Sequence, residues 1–185
     1  VEKLREDFET YWKRVSPEDR DRVVHVVDHE SDPETYLHAS DWYSEVVPWS
    51  HFSTSQGKKL SGDWHIKTER KGTYRFEVRR WPKEIDASIA DIPSIEGNVD
   101  AWDSKGGKSY LIYGNEKAPF VALPVASVRL RVGDFEHLKT VNSGDAKATF
   151  DVPLDRNEFT VTAELLNSRN EVLAGAYYTY CSRIR

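Results

Sequence analysis

The chain has a single cysteine, Cys181, which excludes an intrachain disulfide. That lone thiol leaves the redox compartment open, because many secreted bacterial proteins also do without disulfides. Methionine is absent altogether, even from the start, VEKLRED, so we expect a processed or excised segment of a longer protein. No apolar run approaches the roughly 18 residues of a membrane-spanning helix, and no secretory leader is visible. A concentrated basic face is missing too. The 26 Lys and Arg are scattered among 31 Asp and Glu, giving a formal charge of -5. Nucleic acid is therefore disfavoured as a partner. Internal repeats and low-complexity tracts are also absent.

What the chain has in quantity is aromatic side chains, six Trp, nine Tyr and seven Phe in 185 residues. Each buries a large area, so a chain this polar can still build a core and cover roughly 70% of its unfolded surface. The first fifteen residues place Leu4, Phe8, Tyr11, Trp12 and Val15 on one helical stripe. That stripe predicts a helix docked on its own domain or, alternatively, on a preceding domain. Ser16-Pro17 then breaks it.

From residue 22 the period changes to two. RVVHVVDH, TYLHASDW, DWHIKTER, TYRFEVRRW, VASVRLRVG, HLKTVN, KATFDVPL, EFTVTAELLN and EVLAGAYYTYCS all read as strands. DWHIKTER and TYRFEVRRW, joined at Lys71-Gly72, predict a hairpin, and the last two strands predict another. Polar turns between alternating strands predict a mainly β chain, an antiparallel β-sandwich with a short N-terminal helix. Residues 1–21 would be a helical lead-in and 22–185 the sandwich, with a loop-rich insertion at about 94–123 carrying one short strand, SYLIY.

Catalytic signatures are missing: there is no HExxH, GxSxG, CxxC or glycine-rich phosphate loop. Cys181 has no base beside it in sequence and is expected to be structural. The cluster Asp28, His29, Glu30, Asp32 and Glu34 offers oxygen ligands without the spacing of a calcium loop. A solvated turn is the first reading there and a hard-cation site the second. The histidines His25, His29, His38, His51, His65 and His137 show no metal-ligand spacing. The ligand-binding candidates are Trp49, Trp81 and Trp102, beside loop-forming residues, with Arg79 and Arg80. Indole faces stack on sugars, and forked guanidinium donors take sulfate, phosphate or carboxylate. The structural alternative pairs Arg80 with Glu84 or Asp86 while Trp81 covers the sandwich edge.

Several motifs occur in a telling order: Asp41-Trp42, Pro48-Trp49, Gly62 to Trp64, then Tyr74, Phe76, Arg79, Arg80, Trp81, Pro82 and Glu84. Arg129-Leu130 with Gly133 follow, and then Gly175 to Tyr178. This set, spanning residues 22 to 182, resembles the C-terminal region of bacterial arylsulfatase-like enzymes. YWKRVSP also resembles the helix leading out of a sulfatase catalytic domain. Ser50 and His51 depart from the Asn and Gln usual there, and the 94–123 insertion is longer than the resemblance leads us to expect.

The resemblance implies a parent enzyme, periplasmic or secreted, that hydrolyses sulfate esters. It would use a formylglycine made from Cys or Ser in Cys/Ser-x-Pro-x-Arg, assisted by calcium. Cys181 is followed by Ser-Arg-Ile-Arg, without the proline, and no serine completes the motif. The nucleophile and the calcium site are therefore expected upstream, and no catalytic residue or cofactor in this segment. Two functions follow. One is an accessory domain partnered with the upstream catalytic domain, lining its cleft and facing a sulfated glycan. The alternative is an autonomous carbohydrate-binding module.

Overall fold

The computed structural model describes residues 2–16, 23–48, 51–93, 109–111 and 117–184. Helix α1, Glu2–Val15, forms where the apolar stripe predicts it. The expectation that it docks on its own domain is corrected: none of its residues is buried. Leu4, Phe8, Tyr11 and Trp12 are exposed, and Phe8 stacks on Trp12. The inner faces of the two sheets of the sandwich bury each other without this helix.

The strands are β1 (Val24–Val26), β2 (Glu34–His38), β3 (Trp64–Lys67), β4 (Gly72–Arg79), β5 (Ser109–Leu111) and β6 (Lys117–Pro119). The later ones are β7 (Ser127–Val132), β8 (Phe135–Thr140), β9 (Ala148–Leu154), β10 (Glu158–Leu166), β11 (Val172–Gly175) and β12 (Tyr178–Arg183). A one-turn helix, α2 (His51–Ser55), precedes β3. One sheet runs β1-β3-β10-β7-β8, with β11 also paired to β10. The other runs β2-β12-β4-β9, and β5 pairs with β6 apart from both. The chain is mainly β, as expected.

Two details differ from the expectation. The β1–β3 pair is parallel, so the first sheet is mixed. In addition β3 and β4 are not a hairpin. Strand β3 pairs with β1 and β10, β4 pairs with β12 and β9, and the chain at Glu69–Lys71 arches from one sheet to the other. Alternation shows that each strand has a buried face, and two strands of an arch, facing each other across the core, alternate just as two strands of a hairpin do. The second predicted hairpin holds for β10 and β11, after which the chain crosses over to become β12. In the 94–123 region the SYLIY strand appears as β5, and β6 is an addition.

The core lies between the two sheets. Trp64, Ile66, Val128, Leu130, Val132, Val161, Ala163 and Leu165 face inward from the first. Leu37, Tyr74, Phe76, Val78, Phe150, Val152 and Cys181 face inward from the second. The turn between β7 and β8 is Gly133-Asp134, with Gly133 at φ 55°, a conformation that a two-residue hairpin turn commonly assigns to glycine. No described helix is long and apolar enough to cross a membrane.

Candidate functional site

Along β4 the side chains alternate until the strand ends, and there the two arginines part. Arg79 lies on the outer side and pairs with Asp86 at 3.4 Å. Arg80 turns into the interior and is wholly buried. Its Nη2 donates to the Val121 carbonyl at 2.5 Å, and at longer range to the Thr54 and Ser55 carbonyls at 3.3 and 3.4 Å. Its guanidinium carbon stands 4.4 Å from the centre of the Trp81 ring. Burial pulls the Arg80 pKa down to about 10.

Asp86, offered by the sequence as a partner for Arg80, thus serves Arg79 instead. Carbonyl oxygens and an indole face hold Arg80, and among the described residues no carboxylate pairs with it. Trp81 is also buried. Its indole N–H donates to the Ser88 carbonyl at 3.0 Å and the Asp91 carbonyl at 3.2 Å, and Phe120 meets its ring edge-on. The Trp81 ring, its indole N–H, Arg79 Nη1 and Arg80 Nη2 are engaged within the domain. Arg79 Nε, Arg80 Nε and Arg80 Nη1, in contrast, are buried without a hydrogen-bond partner among the described residues. Trp49 and Trp102 lie outside the described residues.

The outer face beside this strand end carries a cluster that the sequence reading missed. Across β2 and β12, Tyr36 lies opposite Tyr180 and His38 opposite Tyr178, with Arg79 and Glu77 continuing the same rows on β4. The Tyr36 ring is parallel to that of Tyr178 within 6°, at 5.9 Å, and within 19° of Tyr180, at 5.0 Å. His38 leans on both Tyr36 and Tyr178. Tyr178 and Tyr180 are buried, whereas Tyr36 is 42% exposed and closes the stack. Lys83 lies 4.3 Å from the centre of the Tyr180 ring and 2.5 Å from the Glu34 carboxylate.

Burial raises the Tyr36 hydroxyl pKa well above the ordinary tyrosine value, helped by Tyr178, Tyr180, Glu84 and Asp41. Burial also opposes ionisation of Glu77, but Lys147, then Lys83 and Arg79, outweigh it and hold its carboxyl below the usual range. A signal for this cluster was present in sequence: Glu34, Tyr36 and His38 share a parity, as do Tyr178 and Tyr180. The pairing of β2 with β12, more than a hundred residues apart, was not legible.

The acidic turn after β1 does not gather ligands. Asp28 faces inward to Tyr74 and Arg70, while His29, Glu30, Asp32 and Glu34 stay at the surface. Among the described residues no group of three His, Cys, Asp or Glu side chains could hold a metal ion. Cys181 is buried, and burial pushes its thiol pKa far up, so it is a poor nucleophile. On the opposite sheet an open cleft of about 310 Å³ is lined by Val24, His65, Glu158, Phe159 and Thr160.

Comparison with known proteins adds little. No family model matches the chain, and no curated protein does. Among solved structures, a ruminal GH26 endo-beta-1,4-mannanase aligns with 82% of this chain at 11% identity and a TM-score of 0.43. The chain spans only 26% of that protein's length, and likeness at this level carries no argument about function.

Proposed function

We propose that this chain is a non-catalytic accessory β-sandwich of an arylsulfatase-like enzyme, packed on a separate sulfate-ester-hydrolysing domain and bordering its substrate cleft. The observation that carries this reading is the interdependence of the motifs behind the resemblance. Trp42 of Asp41-Trp42 lies against both Gly62 and Gly175. A Cβ on Gly62 would come 2.6 Å from the Trp42 Cβ, and one on Gly175 would come 2.6 Å from the Trp42 ring. Trp64 and Tyr177 flank the same indole at 5.7 and 5.9 Å. The motifs Asp-Trp, Gly-x-Trp and Gly-Ala-Tyr-Tyr therefore describe one packing unit whose members need each other. A set linked in this way is less expected by chance than scattered matches.

The α1 stripe supports the same reading, with the catalytic domain as its occupant. The formylglycine and calcium chemistry would reside in that domain, since this chain has neither the Cys/Ser-x-Pro-x-Arg motif nor an accessible thiol. A periplasmic or secreted location would follow from the parent enzyme.

The DNA preceding the Val1 codon provides the direct test. An in-frame Cys/Ser-x-Pro-x-Arg motif is expected there, and a reading frame without one overturns the assignment. The purified chain should leave 4-nitrophenyl sulfate intact, and turnover by it would remove the non-catalytic assignment.

A further inference from the structure

Tyr36 sits on β2, an edge strand of its sheet, with Tyr178 and Tyr180 stacked on its inner side. The ring is thus held in place before any ligand arrives, and its remaining surface is exposed at the edge. Fixed aromatic rings of this kind offer large contact area at little ordering cost. We propose that Tyr36 is the stacking platform of a saccharide-binding site that takes a neutral pyranose chain, with Glu34, Lys83 and His38 supplying hydrogen bonds to its hydroxyls. This site is independent of the accessory-domain reading and stands or falls separately.

Size and charge select the ligand. The exposed part is a single ring set among charged side chains, which suits one sugar residue. A stable protein interface needs on the order of 1,000 Å² and a core depleted of charge. Around the stack stand the carboxylates of Glu34, Glu77, Glu84 and Asp41, against the ammonium groups of Lys83 and Lys147. Both lysines are already paired, Lys83 with Glu34 and Lys147 with Glu77. The Arg79 guanidinium is paired with Asp86. The rim is acidic on balance, so it repels phosphodiester chains and sulfated glycans, and it presents carboxylate oxygens that accept hydrogen bonds from sugar hydroxyls.

The test uses amide chemical-shift mapping of the whole chain against neutral gluco-, manno- and galacto-configured hexasaccharides, with a chondroitin sulfate hexasaccharide as the anionic arm. Shifts centred on Tyr36, His38, Tyr178 and Tyr180 are expected with at least one neutral sugar, and weaker ones with the sulfated probe. Tyr36→Ala should weaken that binding at least about tenfold, whereas Tyr36→Phe should retain it, because stacking needs the ring and not the hydroxyl. No shifts with any neutral sugar at millimolar concentration overturn the proposal. Shifts centred elsewhere do so too, as does tighter binding of the sulfated probe at Tyr36. The mapping reads the unaltered chain, so the outcome does not depend on a variant folding.

Discussion

Asp28 shows how one residue can mislead in sequence and matter in structure. Among the acids of DHESDPE it reads as a possible cation ligand, yet its side chain is fully covered. It accepts hydrogen bonds from the Tyr74 hydroxyl at 2.7 Å, the Glu69 amide at 3.2 Å and Arg70 Nε at 3.2 Å, while Arg70 Nη2 caps its carbonyl. Burial works against its charge, but the Tyr74, Glu69 and Arg70 interactions outweigh it and lower the pKa below the ordinary 3.8. A depressed carboxyl pKa contributes stability that is fully present above that ordinary value and fades as pH falls through the folded-state value. Asp28→Asn should therefore cost about 1–3 kcal/mol at pH 7 and flatten the loss of stability below pH 4. Urea melts of both proteins across that range check it. Equal acid slopes would show that Asp28 is not the group titrating. Alternation places Asp28 near a strand end, but nothing local reveals that Tyr74 and Arg70, more than forty residues on, fold over it.

At the scale of elements, much of the sandwich was legible and its wiring less so. Trp64 and Ile66, or Tyr74, Phe76 and Val78, mark a buried face because period two has only one physical meaning in a half-buried strand. The partner of that face is a long-range fact, which is why β3 and β4 read as a hairpin and fold as an arch. The Arg80 contacts were hidden for the same reason, since its acceptors at Thr54 and Val121 are 26 and 41 residues away. The glycines are informative where they touch Trp42. Gly175 on β11 has Trp42 ring carbons where its Cβ would stand, at 2.6 and 2.7 Å, and the Leu60 carbonyl at 3.2 Å. The ring is also held by Trp64 and Tyr177, so it has little room to retreat. Gly175→Ala should destabilise the chain by about 1–3 kcal/mol through overpacking. Thermal unfolding with near-ultraviolet circular dichroism, which reports the displaced indole, measures this. An unchanged melting temperature would mean that the Trp42 pocket is not tightly filled.

For the whole molecule, the question is what α1 contributes. An isolated helix of 14 residues is marginal in water, and most helical stability in proteins comes from burying one face. Here that face is exposed, with Leu4 at 75% and Phe8 at 60% exposure. The sandwich has its own closed core, so its cooperative unfolding should be indifferent to the helix. The double substitution Phe8→Ser with Trp12→Ser should shift the stability of the isolated chain by no more than about 0.5 kcal/mol, as surface changes usually do. The amides of α1 should meanwhile exchange with solvent far faster than those of β4 or β10, because opening the helix breaks no tertiary packing. Joined to the proposed catalytic domain, the same substitutions should become costly and the exchange should slow, since the stripe then has an apolar partner. Urea melts and hydrogen exchange on both forms separate the cases. A large loss in the isolated chain would mean that α1 packs on its own sandwich, and identical behaviour in the two forms would leave the stripe without the catalytic domain as its occupant.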